Sequence, residues 1–403
     1  MVSPEIPPRS GGLNLAIGGQ NLREAINELH TLEARPDLLL VYSGHNEYYR
    51  NMQEVASTGT SPFAVFDRSL ARSPTFSLVY RQLSQRPAFY SMKFGCAEFV
   101  ARHIATPDVY ERRIIRFLRQ LQQLAGFCRD EQIATIWFVP AASESGWDPN
   151  RSIPDGSPSD AVKRPIEQTH SRARKREAAE DWQAAAALYR QILNGHSGFS
   201  EAHYRLGECL MKLDQSQSAA GHFRKALDFD GHPIRANADY RDAVRKVAQA
   251  NEITLIDAGD ILRRQTEHGI LDRSMFHDNV HPTLRAFFLL GIAATHELNA
   301  EPFTIRFGTP AELPTADFGE SITDAGINRE DLALAYRRVA FGVRWMTRWR
   351  FDPSQRERMA DEFERLSRRL ESADMQPGEF GSESLSSESI ETDEFTPGQT
   401  GKS

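Results

Sequence analysis

The sequence has few cysteines, no long apolar run and no excess of positive charge. Its three cysteines, Cys96, Cys128 and Cys209, share no short spacing, so neither a disulfide framework nor a zinc knuckle is indicated. No apolar stretch approaches the roughly 20 residues of a membrane span, and the opening MVSPEIPPRSGG does not resemble a signal peptide. We expect a soluble, reduced protein, cytoplasmic as printed, although a longer N-terminus would be able to carry a signal or an anchor.

The negative charge of the chain is concentrated at its C-terminus. The formal net charge at pH 7 is −7, and from Glu371 onward eight acidic residues face one basic residue, Lys402. The rest of the chain is close to neutral, which argues against nucleic-acid binding. Because residues 372–403 are rich in Ser, Glu and Gly and poor in apolar side chains, we predict a disordered acidic tail there.

Apolar strands alternate with amphipathic helices through much of the chain. Short apolar runs occur in LNLAIGG, DLLLVYSGHNE, ATIWFVP and NEITLIDAG, and helical periodicity appears after the first and before the third. Strands that are apolar throughout are typical of a parallel sheet with helices on both faces. The pattern therefore predicts an α/β fold.

A helical insert with a repeated pattern lies between the third and fourth of these strands. It begins with a linker composition at 145–165, which holds four prolines and two glycines. The positions that then match a tetratricopeptide repeat are Leu206, Gly207, Ala219, Phe223 and Ala226, with Ala185, Tyr189 and Ile192 about 34 residues earlier in phase. This resemblance predicts helical hairpins over 166–232 that bind a protein partner; the alternative is a plain helical insert.

Two polar clusters follow apolar segments and contain residues suited to acyl transfer. In FHDNVHP, Asp278 and His281 are spaced so that the carboxylate holds one imidazole nitrogen and leaves the other as a general base. The amide of Asn46 and the backbone N–H of Gly19 are able to donate to a developing oxyanion. Each signal alone is weak, since Asp-x-x-His is more often a surface turn. Their joint occurrence at successive strand ends favours a catalytic site.

Taken together, these clusters resemble the SGNH/GDSL-type hydrolases, a family of serine esterases, lipases and acyl-carbohydrate deacetylases. NLAIGG is similar to the second block of the family, GHNE to the third and DNVHP to the fifth. The resemblance places the oxyanion donors on Gly19 and Asn46, with Glu47 in place of the usual Asp, and triad positions on Asp278 and His281. It covers about residues 13–299. It implies a flavodoxin-like three-layer α/β domain, an ester substrate and no cofactor or metal.

The first block of that family, Gly-Asp-Ser after the first strand, has no counterpart in the sequence. Ser3 and Ser10 follow no predicted strand, so the nucleophile stays unassigned. We expect a truncated ester hydrolase that lacks its first strand, similar to bacterial hydrolases with tetratricopeptide repeats. Whether the printed chain is an enzyme stays open. The alternative is a non-catalytic scaffold whose repeats bind a partner; a metal site on Asp278, His281 and His277 is a distant third.

These patterns divide the chain into six parts. The predicted parts are a first portion of a hydrolase-like domain at 1–144, a linker at 145–165, helical repeats at 166–232, the last portion of the domain at 233–300, a helical extension at 301–371 and a tail at 372–403.

Overall fold

The fold was analysed in a computed structural model that describes residues 21–47, 107–154, 160–308, 328–347 and 354–372. Most of these residues are helical, and the predicted α/β character is limited among them to a small sheet of three strands. The predicted strand LNLAI lies outside the described residues, as does the predicted tail apart from Ser372.

The described residues form twelve helices, which alternate with the strands up to β2 and flank β3. The strands are β1 (Leu38–Tyr42), β2 (Ala134–Val139) and β3 (Thr254–Asp257). The helices are α1 (Leu22–Thr31), α2 (Pro107–Asp130), α3 (Asp160–Ala178), α4 (Trp182–Gly195), α5 (Ser200–Lys212), α6 (Ser216–Asp228), α7 (Ala238–Ala250), α8 (Ala258–Arg263), α9 (Leu284–Leu298), α10 (Phe303–Phe307), α11 (Arg329–Thr347) and α12 (Ser354–Glu371).

The three strands pair in parallel in the order β1-β2-β3. The register pairs Leu40 with Ile136 and Ile136 with Thr254. The strands predicted from DLLLVYSG, ATIWFVP and NEITLIDAG are thereby confirmed. Because the strands are parallel, the loops that follow them all begin at the same end of the sheet, the carboxyl end of its strands.

Helices cover both faces of the sheet. Successive side chains of β2 point to opposite faces, so they belong to two different cores. Trp137 and Val139 belong to one core with α1, α2 and α7. Ile136 and Phe138 belong to a second core with α8, α9 and α10. Trp137 and Ile136 are fully buried, and burial of each such side chain contributes about 1.5–3 kcal/mol to stability.

The inserted helices α3 to α6 form two helical hairpins with a shared core. Tyr189, Leu206, Ala219 and Phe223 are buried in it, as the repeat pattern predicts. Gly207 permits this packing, because a Cβ atom at that position would lie 2.8 Å from Cε1 of Phe223.

Within the predicted linker 145–165, residues 145–154 are packed more closely than the composition predicts. Trp147 and Asp148 are buried, and α3 already begins at Asp160. Proline and glycine indicate only a local preference for turns. The burial of Asp148 depends instead on Arg356, whose Nε lies 2.6 Å from Oδ1 of that aspartate. No local pattern reveals a partner that is 208 positions away.

The predicted C-terminal extension forms a helical hairpin of α11 and α12. Its core contains Tyr336 and Phe363, whose rings stack at 5.8 Å between centroids. Trp147 from the 145–165 stretch completes the same core. The hairpin is therefore packed on the rest of the chain through Trp147, which belongs to the segment that follows β2.

Candidate functional site

Asp278 and His281 are in direct contact in the loop before α9. Oδ2 of Asp278 lies 2.7 Å from Nδ1 of His281. An ionised carboxylate only accepts hydrogen bonds, so Nδ1 carries the proton and Nε2 is left as the basic nitrogen. The side chain of His281 is 69% exposed, so the imidazole is open to solvent.

The charges of the two residues stabilise each other. The Asp278 carboxylate raises the pKa of His281 by its charge and its hydrogen bond. Burial opposes ionisation of Asp278, but the charge of His281 and its hydrogen bonds outweigh burial, so the pKa of Asp278 lies below its usual value. Two backbone N–H groups, of Val280 at 2.9 Å and His281 at 2.8 Å, also donate to Oδ1.

The loop that carries this pair is closed at its base. Phe276 and Pro282 form an antiparallel bridge, and the N–H of His277 donates to the carbonyl of His281 at 2.9 Å. The side chain of Thr283 then caps α9 by accepting from the N–H of Ala286. A loop pinned at both ends holds the imidazole and the carboxylate in one arrangement.

The turn GHNE follows β1 in a backbone conformation that requires glycine at its start. Gly44 has φ of +136°, and a Cβ there would lie 3.1 Å from Cγ of Pro140. Nδ1 of His45 accepts the N–H of Ala236 at 3.1 Å. Burial lowers the pKa of His45 to about 3, so this histidine is neutral at physiological pH.

The same turn contacts the start of α1. Oε1 of Glu47, which is buried, accepts the N–H of Leu22 at 2.7 Å. The neighbouring Asn46 is half-buried. Gly19, the other predicted oxyanion donor, lies outside the described residues, but α1 begins three positions after it.

The turn after β1 lies near the Asp278–His281 loop. The positive charge of His281 lowers the pKa of His45 and the negative charge of Asp278 raises it, both as smaller effects than burial. Charges act in this way only over short distances. The turn and the loop both also contact the segment that follows β2: Gly44 lies against Pro140, and the N–H of Ser143 donates to the carbonyl of Asn279 at 3.1 Å. That Gly19, Asn46 and His281 converge at one end of the sheet stays a prediction.

A contact that the sequence did not indicate holds the loop from the other side. The hydroxyl of Tyr336 in α11 lies 3.1 Å from Nδ1 of His277. Burial lowers the pKa of His277 to about 4, so this imidazole is neutral at physiological pH. Among the residues that the structure describes, no three His, Cys, Asp or Glu side chains are placed to bind a metal ion.

Comparison with known proteins identifies one part of the chain. Residues 177–241 match the tetratricopeptide repeat family. The match begins at the end of α3 and reaches into α7, so it includes both helices of the second hairpin. It confirms the repeat predicted from Leu206, Gly207 and Phe223, and repeats of this kind are surfaces for protein–protein interaction.

Neither a curated protein nor a solved structure matches the chain. The comparisons therefore give no support to the resemblance of the sheet to SGNH/GDSL-type hydrolases, which stays a prediction. Within the described ranges, no helix combines the length and apolar composition that a bilayer span requires.

Proposed function

We propose that the polar end of the sheet is an acyl-ester hydrolase site of the SGNH/GDSL type, joined to a repeat module that binds a protein partner. In this proposal His281 is the general base, Asp278 orients it, and Asn46 and Gly19 donate to the oxyanion. The observation that supports it is the 2.7 Å contact between Nδ1 of His281 and Asp278, which leaves Nε2 basic and exposed.

The proposed chemistry needs only protein side chains and an acyl ester or acylated carbohydrate. A hydroxyl group loses its proton to Nε2 of His281 while its oxygen attacks the acyl carbonyl. The carbonyl π electrons move to oxygen, and the resulting charge is stabilised by Asn46 and Gly19. When the intermediate collapses, the ester C–O bond breaks and the leaving alcohol takes the proton from His281. The residue that supplies the attacking hydroxyl is not assigned. Water then attacks the acyl group that this residue carries, giving its proton to Nε2 of His281, and the residue's oxygen leaves and takes that proton back, so the acid is released.

Hydrolysis of p-nitrophenyl acetate by the 403-residue chain tests the role of His281. Because no residue of the chain is assigned as the nucleophile, we expect only slow hydrolysis, by direct attack of water. General-base catalysis contributes roughly 10²–10⁴-fold, so His281→Ala should lower this slow rate above buffer by at least about tenfold. His268→Ala is the matched control, because His268 is exposed in a loop outside this site. Equal rates for the wild type and His281→Ala would contradict the proposed site.

The second candidate is a non-catalytic scaffold in which the repeats bind a partner and the sheet domain is structural. The match of residues 177–241 to the repeat family favours this function, since it concerns the helices alone. The same assay separates the two candidates. A wild-type chain that hydrolyses the ester no faster than buffer would favour the scaffold.

A further inference from the structure

One face of α5 is polar but buried. Glu201, Tyr204, Arg205 and Glu208 are spaced i, i+3, i+4 and i+7 and so form a single stripe, here called the α5 stripe. A polar stripe on a helix normally faces water. Glu201 and Tyr204 are nevertheless fully buried, and Arg205 is 2% exposed.

The first element that covers the α5 stripe is the segment 143–153, which follows β2. Oγ of Ser152 accepts the N–H of Glu201 at 2.8 Å and lies 2.9 Å from Oγ of Ser200. The hydroxyl of Tyr204 donates to the carbonyl of Ser145 at 2.5 Å. These contacts use a backbone carbonyl and a short side chain of the segment, so the backbone of the segment lies close to α5.

The second element is the start of α12. Nε2 of Gln355 donates to the hydroxyl of Tyr204 at 2.9 Å and to Oε1 of Glu208 at 3.3 Å. The next residue, Arg356, is fully buried with Asp148. Its guanidinium also lies 4.1 Å from the ring centroid of Trp147. The segment and the C-terminal hairpin are therefore joined to each other over the stripe.

Both elements also contact the loop that carries Asp278 and His281. The N–H of Ser143 donates to the carbonyl of Asn279 at 3.1 Å. From the hairpin, Tyr336 contacts His277 at 3.1 Å. The loop is thus held from two directions by the same elements that cover the repeat.

The corresponding stripe of the first hairpin is more open. One period of about 34 residues before Glu201 and Arg205 lie Glu167 and Ser171 on α3, and both are exposed. The covering is therefore a property of the second repeat and not of the module as a whole.

We propose that the α5 stripe is an internal docking site for this chain's own segment 143–153 and the start of α12. Repeat proteins generally offer such surfaces to other molecules; here the occupant is part of the same chain. The second repeat acts as a brace that holds the C-terminal hairpin against the Asp278–His281 loop. This inference goes beyond the proposed hydrolase and does not depend on its activity.

Hydrogen exchange of the full chain, followed by mass spectrometry, tests the brace. Arg356→Met removes the guanidinium that pairs with Asp148, and breaking a buried ion pair is strongly destabilising. We expect exchange at least about tenfold faster in 143–153 and α12, spreading to residues 271–283, with α4 unchanged. Arg358→Met is the matched control, because Arg358 is exposed on the same helix and should alter none of these rates.

A second variant keeps the test decisive if Arg356→Met unfolds the whole chain. Gln355→Ala removes only the hydrogen bonds to Tyr204 and Glu208 and should speed exchange in the same regions by a smaller factor. Unchanged exchange in 143–153 and α12 in this variant would overturn the docking site. Faster exchange there with no change at 271–283 would overturn the link to the loop.

Discussion

At the scale of single residues, Glu47 joins two parts of the proposed site. Its buried carboxylate accepts the N–H of Leu22, so the turn that contains Asn46 is fixed to the start of α1. The resemblance to hydrolases places Glu47 where an Asp is usual. The longer side chain reaches a backbone group 25 positions earlier in the sequence.

We predict that Glu47→Ala destabilises the protein by about 1–3 kcal/mol, because the N–H of Leu22 loses its buried acceptor. Urea unfolding measures this change. Glu28→Ala, an exposed position on α1, serves as the control and should change stability by less than about 0.5 kcal/mol. Equal stability of the two variants would show that the carboxylate does not fix the turn.

At the scale of elements, Gly207 sets how closely α5 and α6 approach. We predict that Gly207→Ala costs about 1–3 kcal/mol, because the new Cβ would overlap the buried Phe223 ring. Gly221→Ala on α6 is the matched control, since its Cβ meets no atom within 4 Å. That substitution should stabilise the helix by about 0.5–1 kcal/mol. Thermal unfolding that ranks the two variants in the opposite order would contradict the packing.

The elements that the sequence predicted correctly have a local signal. The apolar runs of β1, β2 and β3 and the phase of Leu206, Gly207 and Phe223 are visible in a short window. The segment 143–153 has no such signal. Its one proline and one glycine indicate turns, whereas its burial comes from Arg356 and the α5 stripe, which are distant in sequence.

The candidate site shows the same limit of sequence reasoning. The spacing of Asp278 and His281 was sufficient to predict their contact, because the two residues lie only three positions apart in one loop. The contact of Tyr336 with His277 joins residues 59 positions apart and needs the folded hairpin. The motif residues can therefore be predicted from the sequence, whereas the distant residues that contact and support them cannot.

At the scale of the whole molecule, buried neutral histidines make stability depend on pH. Burial lowers the pKa of His45 and of His232 to about 3, while in the unfolded chain histidine titrates near 6.5. Below that pH the unfolded chain binds protons that the folded chain does not, so the free energy of unfolding falls as pH falls. His281 has the opposite sign: its stabilising contribution is present below about pH 6.5 and is lost as pH rises through its raised pKa.

We predict that His45→Gln reduces the loss of stability between pH 7.5 and 5.5 by about 1 kcal/mol relative to the wild type. The glutamine oxygen is able to accept the N–H of Ala236 in place of Nδ1. Urea unfolding at the two pH values measures the difference, and His268→Gln, an exposed position, should leave it unchanged. A His45→Gln variant with the pH dependence of the wild type would contradict the buried neutral state.

The central claim is that Asp278 holds His281 as a general base at the end of the sheet. The most direct measurement is a pH titration of the His281 imidazole by ¹H–¹⁵N NMR, with His281→Gln used to assign its signals. The account predicts a neutral form protonated at Nδ1 and a pKa above 6.5 that falls toward 6.5 in Asp278→Asn. A neutral form protonated at Nε2, or a pKa that Asp278→Asn leaves unchanged, would contradict it.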